Sequence, residues 1–119
     1  MMTSEAKAQR IAELADDMKA ERIEIIDLRQ KTSVTSFFVV CSGTSDVHVN
    51  AIIDKVNERM RDEGVRSLAS DTQGGGWLLL DYGDVMFHAM REERRQFYDL
   101  ETLWRNKEVD PNLLPESEV

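Results

Sequence analysis

A few groups of residues in this chain are of the types that carry chemistry. The first is Gly43-Thr44-Ser45-Asp46, a glycine turn of the kind that opens a helix. Backbone N–H groups at a helix N-terminus attract phosphates. The stretch lacks the lysine and the length of a P-loop, and it is not a GxGxxG. Asp46 already brings a carboxylate to the positive end of the helix, so capping by Thr44 or Ser45 explains the residues without a ligand. The second group is Ser45, His48 and a nearby aspartate, which could be drawn as a hydrolase triad, but no GxSxG accompanies them. His88 has no second histidine nearby in sequence, and two unpaired histidines make a poor metal site. The single cysteine, Cys41, rules out an internal disulfide and a cysteine zinc cage, and it reads as a small core residue. No catalytic, metal-ligating or cofactor-binding set emerges.

One enzyme class remains to be weighed. A strand–Gly-Ser–helix turn also occurs in nucleotidyltransferases, which hold magnesium on paired carboxylates of the following strand. The following strand read here, Val65 to Ala69, has none. Asp81 and Asp84 form a pair, but a turn separates them and turn formation explains both.

The elements that must position these residues centre on Trp77-Leu78-Leu79-Leu80-Asp81-Tyr82-Gly83-Asp84-Val85-Met86-Phe87-His88. This reads as two strands joined at Gly83. Side chains alternate, so Trp77 and Leu79 point one way and Leu78, Leu80 and Tyr82 the other. Both faces are apolar. Either a sheet covered on both sides or a binding surface accounts for that, and the pattern leaves open which face is exposed.

Upstream, Ser4 to about Ala20 reads as an amphipathic helix with Ala8, Ile11, Leu14, Ala15 and Met18 inward. Ile23 to Leu28 is a first strand, and Phe37 to Cys41 is a second, more apolar one near the sheet centre. A helix from about Ser45 to Glu63 buries Val49, Ile52, Ile53, Val56 and Met60 and stops at Gly64. The passage over residues 37–69 predicts a parallel pair with a right-handed crossover. Ser70 to Gly76 reads as a glycine-rich loop. Glu92 to about Leu100 reads as a helix, with Phe97, Tyr98, Leu100, Leu103 and Trp104 able to fold back on the sheet. Residues 1–104 form one α/β domain with a mixed sheet of about five strands, and 105–119 an acidic, flexible tail.

The chain has 119 residues, 41% hydrophobic and 32% charged, which suits one domain with a real core. No run approaches membrane-spanning length, and the N-terminus lacks signal-peptide blocks, so a cytoplasmic protein without membrane contact is expected. With 23 acidic against 15 basic residues the net charge is −8, which suits a basic protein partner better than bare DNA or RNA.

Several motifs together resemble the ribosomal silencing factor, or Iojap-like, family. They are Phe37-Phe38-Val39-Val40 before Ser42-Gly43-Thr44-Ser45, then Trp77 to Val85 with His88, then Arg95-Gln96-Phe97-Tyr98-Asp99-Leu100-Glu101 and Leu103-Trp104. The resemblance spans about Ala8 to Trp104. It implies a nucleotidyltransferase-like fold without transferase activity or cofactor. It also implies a protein that binds the large ribosomal subunit on its fourteenth protein, blocks subunit joining and damps translation when nutrients are short. Family members often pair as dimers, so a homodimer is a further expectation. Within that frame Trp77, Leu79, Asp81, Tyr82, Asp84 and His88 are the candidate partner-binding residues. Trp77, Leu79 and Tyr82 would supply apolar area and the aspartates would pair with lysine or arginine.

Overall fold

The computed structural model describes residues 2–30, 35–71 and 77–93, with Asp71 and Trp77 described for the backbone alone. Seven elements follow in order: α1 (Ser4–Asp17), β1 (Glu21–Asp27), β2 (Phe37–Gly43), α2 (Asp46–Asp62), β3 (Ala69–Asp71), β4 (Trp77–Asp81) and β5 (Val85–Arg91). The strands make one mixed sheet in the order β1-β2-β5-β4-β3.

Both helices begin and end where local chemistry satisfies their free backbone groups. Thr3 Oγ1 accepts from Ala6 N at 3.1 Å to start α1, and Ser45 Oγ accepts from His48 N at 3.1 Å to start α2. Each ends in the same pair of reverse bonds. Ala20 N and Lys19 N donate to Ala15 O and Asp16 O, while Val65 N and Gly64 N donate to Met60 O and Arg61 O. The left-handed residue of that motif is Gly64 (φ 87°) in α2 but Lys19 (φ 61°) in α1, which ends three residues sooner than its pattern predicts.

The helices cover one face of the sheet. Ala8, Ile11, Leu14 and Ala15 of α1 and Val49, Ile52, Ile53, Val56 and Met60 of α2 pack on Phe37, Val39, Cys41, Leu78, Leu80, Tyr82, Val85, Phe87 and Ala89. The opposite face gathers Ile26, Leu28, Phe38, Val40 and Met90 in a smaller cluster. β2 is therefore buried along its whole length on both sides, as a near-continuous apolar strand should be.

Two expectations are corrected. The chain over Val65 to Ser67 is not a strand. Val65 closes the end of α2, and β3 begins only at Ala69. Nor do residues 37–69 contain the parallel pair. β3 lies antiparallel to β4 at the sheet edge, and the strand parallel to β2 is β5, in register from Phe37↔Val85 to Gly43↔Arg91. A three-residue edge strand has too little length to compete for the centre, where two-sided apolar strands gain more from burial. β3 thereby takes Ser70 and Asp71 out of the loop expected from Ser70 to Gly76, and residues 72–76, the helix beyond Glu93 and the tail lie outside the described residues.

Gly43 is where β2 hands over to α2. A Cβ built there would meet Val49 Cγ2 at 2.6 Å and Val49 N at 3.1 Å, so glycine is required by the close approach of the helix. Gly43→Ala should lower stability by about 1–3 kcal/mol through overpacking, read as a fall in urea midpoint with an unchanged slope.

Candidate functional site

Two polar regions sit at opposite ends of the sheet. At the C-terminal ends of β2 and β5 lies the Gly43-Thr44-Ser45-Asp46 turn. Its potential ligand-binding groups are spent on the protein itself. Thr44 N donates to His48 Nδ1 at 2.9 Å, and Ser45 Oγ caps the helix. His48 Nδ1 is thus an acceptor, which leaves Nε2 to donate to Met18 O, 2.8 Å away at the end of α1. Asp46 Oδ1 lies 3.2 Å from Arg91 Nε. Beside them Glu92 accepts from Ser42 Oγ at 2.9 Å and pairs with Arg22. This is a pole of structural ties, and among the described residues no group of three or more His, Cys, Asp or Glu side chains could hold a metal ion.

At the other end is the β4–β5 turn. Gly83 takes φ 87°, a left-handed conformation that glycine adopts freely. Asp81 Oδ1 accepts from Gly83 N at 2.7 Å and Tyr82 N donates to Val85 O at 2.8 Å, which sets the turn. Asp84 then ties the turn to its surroundings. Its carbonyl accepts from Ser36 N at 2.8 Å and Phe37 N at 3.2 Å. Its carboxylate accepts from Ser4 Oγ at 2.6 Å and Lys7 Nζ at 2.7 Å. Partial burial pushes the carboxyl pKa up, but the bonds from Lys7 and Ser4 outweigh it, and the group is held below the usual aspartate value.

The six residues expected to bind a partner divide sharply here. Leu79, Asp81 and Asp84 are half-buried and reach solvent. Trp77 pairs through its backbone with Met90, its side chain lying outside the described atoms. Tyr82 and His88 do not form part of the surface. Tyr82 is 5% exposed among the helix-facing residues, its hydroxyl without a hydrogen-bond partner among the described residues, and burial pushes its pKa up to about 12. His88 is 0% exposed on the other face, its ring edge-on to Phe38 with centroids 4.6 Å apart. Burial pulls its pKa down to about 3, so the imidazole is neutral. Both residues alternate correctly along their strands, but alternation tells which face a side chain takes and not whether that face is open.

The second face is therefore closed over β2 and over His88 and Met90 of β5, while Leu79 and Asp81 of β4, Met86 of β5 and Glu24 of β1 are partly exposed there. Sequence reasoning missed Ser4 and Lys7, which lie 80 and 77 residues from Asp84 with no periodic signal to link them. It also missed Leu68. Read as part of a strand, it is 75% exposed beside the turn.

A family model described as "Ribosomal silencing factor during starvation" matches residues 1–118. The ribosomal silencing factor of Bacillus subtilis is 32% identical over 78% of this chain and 80% of its own length. That of Haemophilus influenzae is 30% identical over 79% of this chain and 93% of its own. The chloroplast Iojap protein of Zea mays is 34% identical over 81% of this chain, which matches 42% of that longer protein. A crystal structure of a Chromobacterium violaceum protein superposes with a TM-score of 0.84 at 29% identity, covering 92% of each chain. The chain belongs to the ribosomal silencing factor family. No helix among the described residues is long and apolar enough to cross a membrane.

The burial of Tyr82 and His88 has measurable consequences. Removing an unpartnered hydroxyl should help, so Tyr82→Phe is expected to raise stability by about 1 kcal/mol in urea titration. The folded protein keeps His88 neutral to about pH 3, whereas the unfolded chain protonates it below about 6.5. The unfolded state then binds the extra proton, and stability should fall as pH drops below 6.5, by about 2 kcal/mol at pH 5. His88→Asn, compared with the parent at each pH, should flatten that window.

Proposed function

With family membership as the premise, we propose that this chain is a non-catalytic repressor of translation acting in the cytoplasm. It binds the large ribosomal subunit at its fourteenth protein, stands where the small subunit must dock, and damps translation when nutrients are short. The observation that carries this reading is the match of the silencing-factor model to nearly the whole chain. The chemistry of the chain supports it. At −8 it is drawn to a basic protein and repelled by bare RNA phosphates. In this reading the scaffold is nucleotidyltransferase-like without transferase activity, and the backbone N–H and hydroxyl groups of its glycine turn serve as caps.

The contact surface in this reading is the β4 side of the hairpin. Leu79, Asp81 and Asp84 contribute directly, with Trp77 at the start of β4. Tyr82 and His88 act from inside, as packing that sets the strand and turn on which the others stand. Asp81 is the more available charge, because Asp84 is already paired with Lys7.

Purified protein added to separated subunits should reduce the joined-ribosome peak in a density gradient and migrate with the large subunit. Asp81→Lys should restore joining. Full joining at saturating wild-type protein would refute the reading.

A further inference from the structure

We infer that Leu68 is the apolar anchor of the docking surface, the side chain that seats in a hydrophobic pocket of the basic partner protein. The inference rests on the function proposed above and adds a residue that neither the family motifs nor the hairpin pattern contains.

Among the described residues two large apolar side chains stand out in water, Val47 at 80% and Leu68 at 75% exposure. They occupy opposite ends of the molecule. Val47 is in the first turn of α2, next to the end of β2, whereas Leu68 lies by the β4–β5 turn, at the start of β5. In-register pairing of β2 with β5 over seven residues separates those ends by about 20 Å.

Leu68 is held beside the turn. Its N–H donates to Asp81 O at 2.7 Å, which fixes the backbone just before β3. Its Cδ1 rests over the turn, 3.1 Å from the position a Cβ would occupy on Gly83. Glycine at 83 therefore serves two ends: it permits the left-handed turn and leaves room for the leucine. Ala69 and Ser70 beyond it, the two β3 residues with described side chains, are also exposed.

With its backbone already fixed, Leu68 gives up only side-chain rotamer freedom when a partner covers it, and its exposed apolar area is open to burial. Charged residues flank it along the backbone: Asp81, whose carbonyl accepts the Leu68 N–H and whose carboxylate carries no ion pair among the described residues, and Arg66, exposed two positions upstream. An apolar centre within a polar rim is the anatomy of a protein-binding hot spot. The net charge of −8 selects a basic protein as the occupant.

The test uses the full chain, purified large subunits and four proteins: wild type, Leu68→Ser, Leu68→Met and Val47→Ser. Urea midpoints should agree for all four, since both sites are exposed. Leu68→Ser should co-sediment with large subunits about tenfold more weakly than wild type or worse, while Leu68→Met and Val47→Ser bind as wild type does. Wild-type affinity in Leu68→Ser would overturn the anchor and leave the proposed function standing. So would a Leu68→Ser protein altered only in self-association by light scattering. Absence of binding by the wild type itself would refute the function first and the anchor with it.

Discussion

Asp84 is the point on which the arrangement of this molecule depends. Through its carbonyl it receives the N–H groups of Ser36 and Phe37 where β2 begins, and through its carboxylate it receives Ser4 and Lys7 from the first two turns of α1. One residue thus joins the hairpin, the strand parallel to it and the helix that crosses the sheet. Lys7 is 14% exposed and Asp84 34%, so the pair is neither a free surface bridge nor a sealed one. In that range the attraction is stronger than in bulk water, and removing one partner leaves a partly desolvated charge behind. The direction of the Asp84 pKa agrees: the favourable bonds more than offset its burial.

From that tie the rest follows in order. With its N-terminus held at the turn, α1 lays Ala8, Ile11, Leu14 and Ala15 along the first face of the sheet, beside α2. At its far end Met18 O meets His48, which in turn holds the start of α2. The middle of α1 is tied to the C-terminal end of α2 as well, by Arg10, whose guanidinium makes a forked contact with Glu63. Tyr82 lies under this lid. Its buried phenol is a small cost in stability, accepted at a position whose ring fills the space between sheet and helices.

Much of this was readable from the chain. The hairpin, the turn at Gly83, the buried stripe of α2 and its stop at Gly64 all follow from short-range rules, because each is set by residues within a few positions of one another. The candidate site was legible in composition but not in exposure. Leu79 and Leu80 are neighbours of the same type, and only the docking of α1 and α2 decides which is covered. Tyr82 and His88 have polar tips that invite a surface role, yet both point into packed clusters. β3 carries no pattern at three residues, so neither its place nor its antiparallel pairing could be read, and with it went the identity of the parallel partner of β2. Leu68 was misassigned for the same reason, since an exposed leucine next to a short strand looks in sequence like one of its inward residues.

The distribution of satisfied and unsatisfied groups bears on what kind of protein this is. Enzyme sites hold polar groups in readiness, with donors and acceptors turned toward a substrate that has not yet arrived. Here the polar groups of both poles face one another. The glycine turn spends its N–H and hydroxyl groups on His48 and on capping, Asp46 faces Arg91, Glu92 holds Ser42 and Arg22, and Asp84 holds α1. Among the described residues, what faces water at the hairpin end is Leu68 and, in part, Leu79, Asp81 and Asp84. Such groups are suited to being covered by a partner. In the proposed function such a surface acts by occupying space on a partner, and its effect is set by what else needs the same space.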